Sequence, residues 1–130
     1  MTSIDTNVVV RLVTRDDPEQ AERATEIFAA GPLWLGKTVL LETEWVLRYS
    51  YRLDRDIIHE TFRRLLGYPL LEAEDRATVV RALGWHGEGM DFADALHLAS
   101  SDRAERFVTF DGDLVAAAAE LETTPEASLA

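Results

Sequence analysis

Short apolar runs alternate along this chain with longer stretches in which apolar side chains recur every three or four positions. The short runs read as strands and the longer stretches as helices. The pattern predicts a strand over 2–4, reaching Asp5 at most, and a helix over 6–13 with Thr6 or Asn7 near its cap. Asp16, Asp17 and Pro18 break the chain, and Pro18 opens a second helix over 18–30 that Gly31-Pro32 stops. Leu33-Trp34-Leu35 reads as a strand, and Thr38 as the cap of a helix reaching about Tyr51. A further helix starts at Asp54 or Arg55 and ends near Gly67. A strand over 69–72 and helices over 75–86 and 91–101 follow. The chain closes with a strand over 107–110, a helix over 113–120 and a candidate edge strand over 122–124.

Strands separated by helices imply a parallel sheet, here of four or five short strands, in an α/β sandwich. At 130 residues with 47% apolar content, one domain spanning 1–130 is expected. No apolar stretch approaches the roughly 20 residues of a membrane span. Met1-Thr2-Ser3 has no basic or apolar leader character, so no secretory signal is expected. The absence of cysteine excludes disulfides and thiolate metal sites and fits a reducing compartment, the cytoplasm.

Ligands of parallel sheets bind outside the carboxyl ends of the strands, which directs attention to the acids there. Asp5 ends the first strand and Asp111 follows the fourth. Glu42 falls about one turn into the helix after the second strand, and Asp94 one turn into its own helix. None of the four has a Lys or Arg three or four places away, and each adjoins apolar residues. Such an acid must shift its pKa, find donors or bind a metal. All four can reach one cleft, and together they make an all-oxygen site suited to Mg²⁺ or Mn²⁺.

Each acid has a competing role. Asp5 can cap the first helix, but Thr6 can serve equally, leaving Asp5 free with Asn7 donating to it. Glu42 and Glu44 point about 200° apart on a helix, so only one enters a given cleft. Glu44 has Arg48 at i+4 and is assigned to a solvated ion pair, Glu42 to the cleft. Asp91 is placed to cap through the Asp94 amide, and Asp94 is favoured as the metal ligand. Asp113 fits the cap of the last helix better than Asp111, freeing Asp111 for the cleft, with Asp113 able to help through a water.

Divalent ions held this way activate a water and stabilise charge on a phosphoryl group in transfer. His59, His86 and His97 share no ligand spacing and read as incidental. The Asp111-Gly112-Asp113 segment mimics the Asp-x-Asp of dehalogenase-type phosphatases, but only 17 residues follow Asp113 and none is Lys. The net charge of −11 argues against nucleic acid taken alone. The arginines Arg48, Arg52, Arg55, Arg63 and Arg64 qualify that, as possible phosphate contacts or as a solvated helix face. Trp45, Tyr49 and Tyr51 on the same segment are expected in the core or against a partner.

Over nearly its whole length the chain resembles the PIN-domain family, in particular the VapC-type toxins. The resemblance rests on Ile4-Asp5-Thr6-Asn7, on Glu42 followed by Trp45-Val46-Leu47, on Phe92-Ala93-Asp94-Ala95-Leu96, and on Thr109-Phe110-Asp111. It implies an α/β/α domain that forms a homodimer and acts as a Mg²⁺- or Mn²⁺-dependent endoribonuclease. By the same resemblance Asp5, Glu42, Asp94 and Asp111 hold the metal, and Thr109 is a secondary, hydroxyl-bearing site residue. The implied substrates are structured RNAs of the tRNA or rRNA class. The implied partner is a cognate antitoxin whose tail lies across the active-site groove, and the acidic balance suits a basic tail. A PIN-like interaction module without useful turnover is the alternative.

Overall fold

A computed structural model describes all residues from Met1 to Ala130. The elements are β1 (Thr2–Ser3), α1 (Thr6–Thr14), α2 (Pro18–Ala29), β2 (Leu33–Leu35), α3 (Lys37–Tyr49) and α4 (Arg55–Leu66). They continue with β3 (Leu71–Ala73), α5 (Arg76–Gly87), α6 (Phe92–Ala99), β4 (Arg106–Thr109), α7 (Gly112–Glu120) and β5 (Glu126–Leu129). The fold class is α/β, as the alternation of periods implies. The chain divides into two compact units, Met1–Arg76 and Ala77–Ala130.

The first unit is built on a three-stranded parallel sheet ordered β1-β2-β3. Thr2 and Ser3 pair with Leu33 and Trp34, and residues 33–35 pair with 71–73. Leu33, Leu35, Leu71 and Ala73 are buried, alternating with the outward Trp34 and Glu72, as the period of two requires. Helices cover the sheet with Val9 and Val10 from α1, Leu40 and Leu47 from α3, and Ile58 and Phe62 from α4, all buried. Burying side chains of this size contributes about 1.5–3 kcal/mol each. All three strands run the same way. The chain after β1 (Asp5), after β2 (Gly36) and after β3 (Glu74) therefore emerges at one edge.

The second unit contains a two-stranded parallel ladder in which Arg106 to Thr109 pair with Glu126 to Leu129. Its buried side chains include Val79, Ala82, Leu98, Ala99 and Leu114. His86 is buried edge-on against Phe92, with ring centroids 5.5 Å apart.

The expected number of strands is present, but hydrogen bonding divides them into ladders of three and two rather than one continuous sheet. Three boundaries differ for identifiable reasons. The third strand starts at Leu71 rather than Pro69, because residues 68–71 form a turn closed by the Leu71 amide on the Tyr68 carbonyl, 3.1 Å. The last strand is at 126–129 rather than 122–124. Residues 121–123 instead finish α7. Glu122 is left-handed, with φ 52°, and the Thr123 amide reaches the Ala118 carbonyl while that of Glu122 reaches Ala119. This is the Schellman closure of a helix. The third helix is capped not by Thr38 but by Glu74, whose Oε1 accepts from the Lys37 amide at 2.8 Å.

Candidate functional site

In the first unit one candidate acid, Glu42, is held by the hydroxyl of Thr6, the residue that follows another, Asp5. Asp5 is the N-cap residue of α1, yet its side chain makes no capping hydrogen bond. Thr6, the first residue of that helix, is 4% exposed, and its Oγ1 donates to Glu42 Oε1. Glu42 is on the exposed side of α3 and has no other hydrogen-bonding partner within the chain. Its orientation is thus held by one buried hydroxyl, which leaves the second carboxylate oxygen open. Asn7 does not donate to Asp5 and instead lines a groove between α1 and α2 with Val8, Arg11, Gln20 and Arg23. Glu74 follows β3 as Asp5 follows β1, and it is spent on the α3 cap.

Glu44 and Arg48 pair as expected, through Nε and Nη2 at 2.8 and 3.0 Å. The pair is not solvated at the acid end, because Glu44 is only 2% exposed. Glu44 lies on the inward side of α3, and its carboxylate requires that guanidinium. The Arg48 guanidinium also lies 4.5 Å from the centre of the Tyr49 ring. Trp45 and Tyr49 are 55% and 56% exposed and pack on each other with centroids 5.1 Å apart, so neither is a core residue. Arg63 and Arg64 both reach Glu60, and their hydrogen bonds hold its carboxyl down to about 2. Arg52 and Arg55 are exposed. Much of the arginine charge that suggested phosphate contacts is therefore bound to acids of the same helices.

In the second unit Asp91 caps α6 as expected, its Oδ1 accepting from the Asp94 amide at 3.0 Å. Asp94 is half-buried one turn into the helix. Burial pushes its carboxyl above the ordinary aspartate range. Like charge on Asp91 and Asp111 adds to the shift, and His97 opposes it. Asp111 does cap α7, contrary to the sequence reading, with Oδ1 accepting from the Asp113 and Leu114 amides at 2.9 and 3.3 Å. The residue ahead of the helix, not the one inside its first turn, has the extended backbone a cap requires. Asp113 is left exposed in the first turn. Thr109 Oγ1 accepts from the Asp111 amide at 3.0 Å and so sets where α7 begins.

The PIN domain family model matches residues 3–120. The chain belongs to the PIN-domain family. PIN domains have an α/β/α fold and are generally metal-dependent nucleases. All four candidate acids fall within the matched stretch, and β5 lies outside it. No curated protein and no solved structure matches the chain.

The donors present in this PIN domain are carboxylates and hydroxyls, the chemistry of a hard divalent cation. Asp94 fits such an ion best, since a cation would relieve both its desolvation and its like-charge neighbours. No three His, Asp or Glu side chains gather closely enough to enclose an ion by themselves. Thr6 and Glu74 escaped the sequence reading. An acid directly after a strand, as at Glu74, is the same signal that marked Asp5. For Thr6 the signal was only its place beside Asp5.

Proposed function

We propose that this PIN domain is a metal-dependent endoribonuclease that hydrolyses RNA phosphodiester bonds, and that it acts as a toxin neutralised by a cognate antitoxin. The observation that carries the reading is Asp94, a half-buried acid within the family-matched stretch, beside the like charges of Asp91 and Asp111 that His97 only opposes. Such a carboxylate is costly to hold ionised unless it serves a positive ligand. Asp5, Glu42, Asp94 and Asp111 are the oxygen donors this reading assigns to Mg²⁺ or Mn²⁺. When bound, that ion supplies an activated water and stabilises charge on the phosphoryl oxygens.

The chain's own residues do the rest. Thr6 holds one Glu42 oxygen so that the other faces outward in a fixed direction. The Asp91 side chain and the Asp94 amide fix the first turn of α6. Thr109 fixes the residue from which Asp111 projects. The reading includes a homodimer, a substrate of the tRNA or rRNA class, and an antitoxin with a basic tail suited to the −11 charge. The rival reading, an interaction module without turnover, is favoured by the lack of a ready-made group of three acids.

The test is incubation of the purified chain with total cellular RNA across a Mg²⁺ and Mn²⁺ series. Discrete cleavage that EDTA abolishes supports the nuclease. RNA left whole at every metal concentration, by protein that still takes up a partner peptide, supports the module.

A further inference from the structure

We propose that Glu74 is a positioning residue for Glu42, fixing where that carboxylate stands for the divalent cation, an inference that rests on the nuclease reading above. The helix that carries Glu42 begins without a cap of its own. Its N-cap residue, Gly36, has no side chain, so the amide of Lys37, the first helical residue, has no acceptor within the helix. Glu74 supplies one from the end of the neighbouring strand, with Oε1 2.8 Å from that amide. Glu74 is itself held, because its own amide reaches the Leu35 carbonyl at the end of β2, 2.9 Å. A second tie runs beside the first, from Lys37 Nζ to the Asp75 carboxylate at 3.2 Å. The start of α3 is thereby fastened to the chain that leaves β3.

The order of the strands explains why this bears on Glu42. β2 is the middle strand, so α3 leaves the sheet between the chain ends of β1 and β3. On the β1 side the Thr6 hydroxyl holds one Glu42 oxygen. On the β3 side Glu74 holds the first turn of the same helix. Glu42 lies in the second turn, where α-helical register bonds its amide back to the Thr38 carbonyl in the first. A first turn that frays therefore loosens the carbonyl on which the Glu42 backbone rests. Thr6 then grips the tip of a side chain whose base moves. The Lys37 amide needs an acceptor oxygen rather than a charge, so glutamine can serve at position 74. A second cap of the same kind provides a contrast. Asp17 Oδ1 accepts from the Gln20 amide at 3.0 Å and so starts α2, a helix that carries none of the four acids. Losing either cap should cost similar stability, and only the loss at Glu74 should reach the cation.

The experiment compares wild type, Glu74→Ala, Glu74→Gln and Asp17→Ala in full-length protein. Mn²⁺ binding is titrated without RNA, by loss of the EPR signal of the free ion, and RNA cleavage is followed over the same Mn²⁺ series. Removing a group that holds a metal ligand in place weakens metal binding by about tenfold or more. Glu74→Ala should therefore raise the Mn²⁺ Kd, and the Mn²⁺ needed for half-maximal cleavage, by roughly tenfold, with cleavage at saturating Mn²⁺ within about threefold of wild type. Glu74→Gln should stay within about twofold of wild type on every measure, because the acceptor remains. Asp17→Ala should melt a few degrees low, as Glu74→Ala does, yet bind Mn²⁺ like wild type. Wild-type Mn²⁺ affinity in Glu74→Ala would overturn the positioning role while leaving the nuclease standing. Equal weakening by Asp17→Ala would do the same, by making the effect one of general stability. A Glu74→Gln protein as weak as Glu74→Ala would make the charge the requirement and end the proposal. Wild-type protein that binds no Mn²⁺ and leaves RNA whole would overturn both readings.

Discussion

Thr6 offers the sharpest test of how this fold prepares a carboxylate. Valine at that position has nearly the shape of threonine but no donor, so Thr6→Val removes the hydrogen bond to Glu42 and little else. A hydrogen bond to a charged group is worth about 1.5–3 kcal/mol. Glu42 is exposed, so water replaces the lost donor, and the net stability cost falls near about 1 kcal/mol. That corresponds to a drop in Tm of about 3–5 °C for a chain of this size. Thr6→Ser keeps the donor and loses one buried methyl, again about 1 kcal/mol. The two variants should therefore melt at similar temperatures. They should differ in function. Fixing a glutamate side chain costs up to about 1.5–2 kcal/mol of rotamer freedom, which Thr6 spares the ligand-bound state. Thr6→Val should thus lose about tenfold in RNA cleavage rate in Mn²⁺, while Thr6→Ser stays near wild type. Equal cleavage by Thr6→Val and wild type would refute the reasoning. So would a Thr6→Ser variant as slow as Thr6→Val.

Asp94→Asn should abolish cleavage yet raise Tm. The folded state raises the Asp94 pKa above its unfolded value, so its ionisation subtracts stability as pH rises through the interval between the two, and the full cost is present at neutral pH. Because the side chain is only half-buried, a gain of about 1–3 °C at pH 7 is expected, vanishing below about pH 3. A lower melting point at pH 7 would contradict this. Arg48→Met should cost about 2–4 kcal/mol in urea unfolding, because Glu44 is left as a buried unpaired carboxylate. Arg63→Met, at an exposed pair, should cost about 1 kcal/mol or less. Equal effects from the two would show that the Glu44 carboxylate does not depend on its guanidinium.

The periodicity of apolar positions made the alternation of helices and strands legible, because each element buries one face and the chain shows which. The parallel pairing followed from the alternation. What periodicity does not encode is competition among nearby polar groups for the same backbone amides. Asp111 and Asp113 carry the same side chain two residues apart, and only the backbone angle at 111 decides which one caps. The cap of α3 came from Glu74, 37 residues away from Lys37 in sequence, which no local pattern announces. The strand at 126–129 was hidden because its side chains are mixed and half-exposed, so neither period stands out. The candidate acids were legible through strand ends and missing cation partners. The hydroxyl that orients Glu42 was not, since a buried threonine beside an acid looks like any helix start. Glu44 was correctly paired from its i+4 spacing, but spacing alone says nothing of depth.

The account stands on Asp5, Glu42, Asp94 and Asp111 serving a divalent cation in RNA hydrolysis. Single-turnover cleavage of a labelled structured RNA in Mn²⁺ by wild type and by Asp5→Asn, Glu42→Gln, Asp94→Asn and Asp111→Asn tests this most directly. The account predicts metal-dependent cutting by wild type and a loss of at least about a hundredfold in each variant. Cleavage by Asp94→Asn at the wild-type rate would contradict it.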